Sequence, residues 1–152
     1  MNKINIKRMV LAGLTMFVVW VLVEVLVEHV LASILFGQTT QELWLQVIEP
    51  QDWDASNYWI NSFVALVNCT LMIWIYASLR PMYGVGTKPA LIVSAFGAIW
   101  VFSLFVNLIN LGLFPLKLGL IEATFEAIEF PIAMIVGAGV YEGALKWDRE
   151  TA

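Results

Sequence analysis

The chain has 152 residues, 61% of them hydrophobic and 13% charged, with a mean hydropathy of +0.82. Soluble domains carry about 25% charged residues, so this composition excludes an ordinary water-soluble domain and points to an integral membrane protein. The formal net charge of −4 does not describe an acidic surface, because five of the twelve acids, Glu24, Glu28, Glu122, Glu126 and Glu129, fall inside apolar runs. A single cysteine, Cys69, excludes an internal disulfide.

Lys3, Lys7 and Arg8 precede an apolar run from Met9 to Phe36 that only Glu24, Glu28 and His29 interrupt. A basic start before an apolar run resembles a signal peptide, but this run is about twice the length of a signal core and reads as a retained first span, 9–36. At 1.5 Å per residue it reaches about 42 Å, more than a hydrocarbon core of roughly 30 Å, so it tilts or projects. Residues 37–56 form the one substantial loop, with Glu42, Glu49, Asp52 and Asp54 and no base. Leu43, Trp44, Leu45, Val47 and Ile48 suggest a short interfacial helix ended by Pro50, with Trp53 anchoring the return. Its acids also offer a cation-attracting vestibule.

The second span, 57–79, is apolar apart from a few polar residues, among which Asn61 and Asn68 share a face at i, i+7. Amides in lipid seek partners inside a bundle, as packing bonds or as ligand contacts. Arg80 to Pro89 reads as a tight Pro/Gly turn between antiparallel spans. Its GxG lacks the preceding strand that a phosphate cradle needs. The third span, 90–113, places Trp100, Ser103, Asn107 and Asn110 along one stripe. After a short turn at 114–119 containing Pro115, the fourth span, 120–144, carries Glu122, Glu126 and Glu129 at i, i+4, i+7 on one face. Pro131 leaves the carbonyl of Ala127 without its helical donor, and Gly137, Gly139 and Gly143 allow close helix contact.

Four spans of roughly 20 to 25 residues fill about two-thirds of the chain, so residues 1–152 make one transmembrane domain, an all-α four-helix bundle. Lys3, Lys7, Arg8, Arg80, Lys88, Lys146 and Arg149 fall on one side and Lys117 alone on the other. The positive-inside rule then makes both termini cytoplasmic, in a multi-pass protein of the cell inner membrane. Counted from the outer boundary, Glu28 and Glu126 come about 12 Å deep and Glu24 and Glu129 about 17 to 18 Å, with Asn61, Asn107 and Glu122 shallower.

Intramembrane carboxylates are rare and mark sites by default. Five of them with no Lys or Arg at their depth cannot all stay ionised, so protons or bound cations must compensate. The expected site is Glu24, Glu28, Glu122, Glu126 and Glu129 with Asn61, Asn107 and Asn110, binding or conducting a proton or hard metal ion. Oxygen ligands such as Glu24, Glu28, Glu126 and Glu129 suit a hard divalent cation such as magnesium, calcium or manganese better than copper or zinc. The alternative is a non-catalytic accessory subunit of a larger membrane complex. The expected partners are the lipid bilayer and a second copy or such a complex, not nucleic acid. Catalysis has no support: one histidine cannot ligate haem from both sides, no aspartate lies within a span, and the Glu-x-x-His pairs of di-iron bundles are missing.

Arg80-Pro81-x-Tyr83-Gly84-x-Gly86, Gly112-x-x-Pro115, Glu129-x-Pro131 and Gly137-Ala138-x-x-Tyr141-Glu142 together resemble small bacterial four-span membrane proteins of unknown function. The resemblance covers mainly the second half. It implies the fold and a membrane location, and no activity.

Overall fold

A computed structural model describes residues 4–46 and 55–143, with the side chains of residues 36, 55 and 56 left aside. The described residues are helical and contain no strand. In chain order they form α1 (Ile6–Val25), a π-helical segment (Leu26–Leu31), α2 (Ala32–Phe36), α3 (Thr40–Trp44), α4 (Ala55–Tyr83), α5 (Thr87–Asn110) and α6 (Leu116–Tyr141). The first three run on without a break, so four helices are long and apolar enough to cross a membrane: Ile6–Leu35, Asn57–Tyr83, Thr87–Asn110 and Leu116–Tyr141.

The spans start and stop where local backbone chemistry dictates, which moves several expected boundaries. Asn5 caps α1, its side chain accepting from the Arg8 N–H at 3.1 Å. The 80–89 stretch is not a long turn: α4 continues through Arg80 and Pro81 to Tyr83, and only residues 84–86 lie outside a helix. Pro89 opens rather than delays α5, because it sits in the first turn, where a backbone N–H has no helical acceptor. Gly84 and Gly86 supply the positive φ values of 82° and 120° that turn the chain there. At the other end α5 stops at Asn110, three residues short of expectation, and Gly112 (φ 70°) reverses the chain into α6, which starts directly after Pro115.

The helix of the loop after α2 begins earlier than expected. It spans Thr40–Trp44, is held by a capping box between Thr39 and Glu42, and buries Thr40 and Leu43. It packs against the π-helical segment and α6, and Glu42 is occupied in its cap. Val47, Ile48, Glu49, Pro50, Asp52, Trp53 and Asp54 lie outside the described residues, as do Lys3, Lys146 and Arg149.

Helix α6 is the axis of the bundle, packing along α1 on one side and α5 on the other, while α4 packs chiefly on α1. Two apolar cores result. One, near the start of α1, joins Met16, Ile73, Tyr76, Val93, Met134 and Ala138. The other, at the far end, joins Val27, Leu43, Phe114, Leu118, Ile121 and Phe125. Close approach in the first depends on two glycines. A Cβ on Gly13 would come within 2.8 Å of the Thr70 Cα, and one on Gly137 within 2.9 Å of both the Met16 Cβ and the Ile73 Cδ1.

The ends of three helices are tied together beside the first core. The Arg80 Nε lies 2.7 Å from Glu142 Oε1 and its Nη2 donates to Glu142 Oε2 at 2.8 Å. The fully buried Tyr76 donates its hydroxyl to Glu142 Oε1 at 3.0 Å and accepts from the Gly86 N–H at 3.2 Å. The Asn5 N–H donates to the Tyr141 hydroxyl at 3.4 Å, and the Arg80 guanidinium lies over the Tyr141 ring. The start of α1, the α4/α5 turn and the end of α6 therefore share one end of the bundle, with Lys7, Arg8, Arg80 and Lys88 there and Lys117 at the other.

Candidate functional site

Between the two apolar cores lies a cavity of about 700 Å³ walled by all four long helices and by α3. Four of the five carboxylates singled out in the sequence line it: Glu24 and Glu28 from the first helix, Glu122 and Glu126 from α6. Asn61 of α4 lines it too. Among the described residues no lysine or arginine does, and His29 is the basic side chain on its wall.

The helical repeat explains the acidic wall. Glu122 and Glu126 stand one turn apart on α6, and Glu24 and Glu28 one turn apart on the helix packed against it. Glu28 falls in the π-helical segment, where the Ala32 N–H reaches back to the Val27 carbonyl, and such wide turns concentrate at functional positions. The segment is braced from the loop, because the Thr40 hydroxyl donates to the Glu28 backbone carbonyl at 3.2 Å.

Burial differs along the wall. Glu122 is 7% exposed, and its Oε1 accepts a 2.6 Å hydrogen bond from the Trp44 Nε1. Glu24, Glu28 and Glu126 are half-buried. Glu126 Oε2 and the Trp20 Nε1 are nonetheless shut away from the surface on the same wall, the indole N–H paired with the carboxylate.

Not every expected residue reaches the cavity. Glu129 is 2% exposed but sits about one turn further along α6, and it is not part of the cavity lining. Asn107 and Asn110 are exposed, and the Asn107 amide donates to the Ser103 carbonyl of its own helix at 2.8 Å. Trp100, on the same stripe, is 75% exposed. The stripe on α5 thus faces away from the carboxylates. Among the described residues, no three His, Cys, Asp or Glu side chains are grouped so as to hold a metal ion.

The residues missed in the sequence are aromatic. Trp20, Trp44, Tyr58 and Phe105 line the cavity beside the carboxylates. Trp20 could have been found by extending the Glu24 and Glu28 stripe one turn back, since 20, 24 and 28 share a face. Trp44 could not, because only the folding of α3 against α6 brings it to Glu122. Trp44 also meets Phe114 edge-on, with ring centroids 4.8 Å apart, so the loop helix is fixed at both its polar and its apolar contact.

Compared with the models of known protein families, with curated proteins and with solved structures, the chain matches none.

Proposed function

We propose that the protein is a multi-pass protein of the cell inner membrane whose bundle holds a cation site in its outer half, with both termini cytoplasmic. The observation that carries the reading is that Glu24, Glu28, Glu122 and Glu126, from two helices packed side by side, line one cavity with no lysine or arginine among its walls. Carboxylates at bilayer depth need compensating charge, and here it comes from a cation that enters the cavity or from protons that move through it. The four basic residues gathered at one end support the orientation, because positive charge is retained on the cytoplasmic side. The dispersed carboxylates favour a proton or a larger cation over a bare metal ion enclosed by oxygens.

A second reading, an accessory subunit that docks to a second copy or to a larger membrane complex, draws on the outward stripe of Trp100, Ser103, Asn107 and Asn110. Polar side chains on a lipid-facing surface are placed more favourably against another protein.

Melting curves of the detergent-purified protein in sodium, magnesium, calcium, manganese and zinc, at two pH values, separate the two. A ligand that binds only the folded site stabilises it by about 2.7 kcal/mol at a hundredfold excess over its dissociation constant. The cation-site reading expects a shift that strengthens with pH as protons are displaced and is lost in Glu126→Gln and Glu28→Gln. If Glu126→Gln responds to the ions as the wild type does, the accessory-subunit reading stands instead.

A further inference from the structure

The wall of the cavity is aromatic as well as acidic, and that combination narrows the class of cation. Its volume of about 700 Å³ lies within the range of sites for drug-sized ligands, roughly 300 to 1,000 Å³, and far above what an ion held by oxygens needs. Trp20, Trp44, Tyr58 and Phe105 give it apolar surface and ring faces that attract positive charge. Glu126, beside the Trp20 indole, sets a carboxylate directly against that aromatic surface. A hydrated metal ion would waste the aromatic wall, and a neutral apolar ligand would leave the carboxylates uncompensated.

We propose that the cavity takes an amphiphilic organic amine in its ammonium form, its N–H donating to the Glu126 carboxylate and its apolar body lying against Trp20, Trp44 and Phe105. The inference rests on the cation-site reading and names the cation. Glu24 and Glu28, across the cavity on the first helix, supply further negative charge toward the ammonium. Tyr58 and Asn61 on α4 form the side by which it enters, since both are exposed at the cavity edge.

The test is isothermal titration of the full chain in detergent with 4-phenylbutylamine and, as its uncharged counterpart, 4-phenylbutanol. The wild type should bind the amine at least about tenfold more tightly than the alcohol. Glu126→Gln should abolish that preference, and Trp20→Leu should weaken amine binding about fivefold. Thr124→Val, exposed on the opposite side of α6, should leave both unchanged. Circular dichroism and gel filtration show whether each variant is folded, and Glu28→Gln, at a half-buried position, serves as a second charge variant if Glu126→Gln is not. Equal binding of amine and alcohol, or an amine preference that survives both Gln substitutions, overturns the inference. If sodium or magnesium still shifts the melting curve while the amine shows no preference, this inference fails and the cation-site reading survives; if neither acts, both fail.

Discussion

The Trp44 indole N–H donates to Glu122 Oε1 at 2.6 Å, joining a five-residue loop helix to the first turns of α6 across 78 positions of sequence. The bond satisfies a carboxylate oxygen that is almost wholly buried, and the Trp44 ring at the same time closes on Phe114. Trp44→Phe keeps the ring contact and removes the donor. It should cost about 1 to 3 kcal/mol, the penalty of a buried acceptor left unmatched. In a Glu122→Leu background the same substitution should cost much less, because the acceptor is already gone. Denaturant melts of the four proteins measure that coupling.

At the opposite end, Arg80 and Glu142 meet through two N···O contacts and Tyr76 adds a third donor. Lysine carries the charge but not the planar fork, so Arg80→Lys is not conservative here. Both side chains are partly exposed, which screens the pair, and the expected loss is about 1 to 2 kcal/mol. Tyr76→Phe should lose about 1 kcal/mol, since Glu142 and the Gly86 N–H each lose a partner. Glu142→Gln should lower the melting temperature by a similar mechanism, while leaving any cation-induced increment in place, because Glu142 is not in the cavity.

Helix spacing supplies another expectation. Gly137→Ala pushes a methyl group against the Ile73 side-chain end, the Met16 Cβ and the Ala12 carbonyl, whereas Gly13→Ala pushes one still closer, against the Thr70 side chain and Cα. Overpacking typically costs about 1 to 3 kcal/mol, and the Gly13 variant should be the worse of the two because its contacts are shorter and all fall on one residue of the facing helix. Thermal unfolding in one detergent ranks them.

Orientation is open to cysteine labelling. Cys69 is buried and contributes little background. An impermeant maleimide added outside intact cells should reach Gln46→Cys and miss Val85→Cys, both of which replace exposed residues. Val85 is preferable to Gly86, whose φ of 120° disfavours a side chain. The reverse labelling pattern would put the carboxylates in the inner half and remove the proposed orientation.

Much of the fold was legible in the sequence because hydropathy and length alone identify the four long helices, and the i, i+4 repeat puts Glu24 with Glu28 and Glu122 with Glu126. Turn chemistry was less so. Pro81 and Pro89 read as turn residues, but one sits within the last turn of α4 and the other within the first turn of α5, so the breaker is the Gly84 to Gly86 stretch alone. The π-helical segment has no sequence signature, and neither has the Thr40 hydroxyl's bond to the Glu28 carbonyl within it. Asn107 and Asn110 show what depth cannot reveal: residues at a similar level can face opposite ways, and rotation about the helix axis is settled by packing. Trp44 shows the complementary limit, since a loop residue acquires its place from tertiary contact. Glu129 shares a face with Glu122 and Glu126, yet it is buried outside the cavity lining.

The central claim, that these carboxylates share one cation-accessible cavity, is tested most directly by modification with a hydrophobic carbodiimide, followed by peptide mass spectrometry. Such a reagent attacks a carboxyl in an apolar setting and is blocked when a cation occupies it. The account predicts adducts at cavity-lining Glu126, Glu24 or Glu28, few at Glu142, and a reduction in the cavity adducts as 4-phenylbutylamine or an effective inorganic cation is added, in proportion to occupancy. Adducts whose yield no cation changes, or modification confined to glutamates outside the cavity, would contradict it.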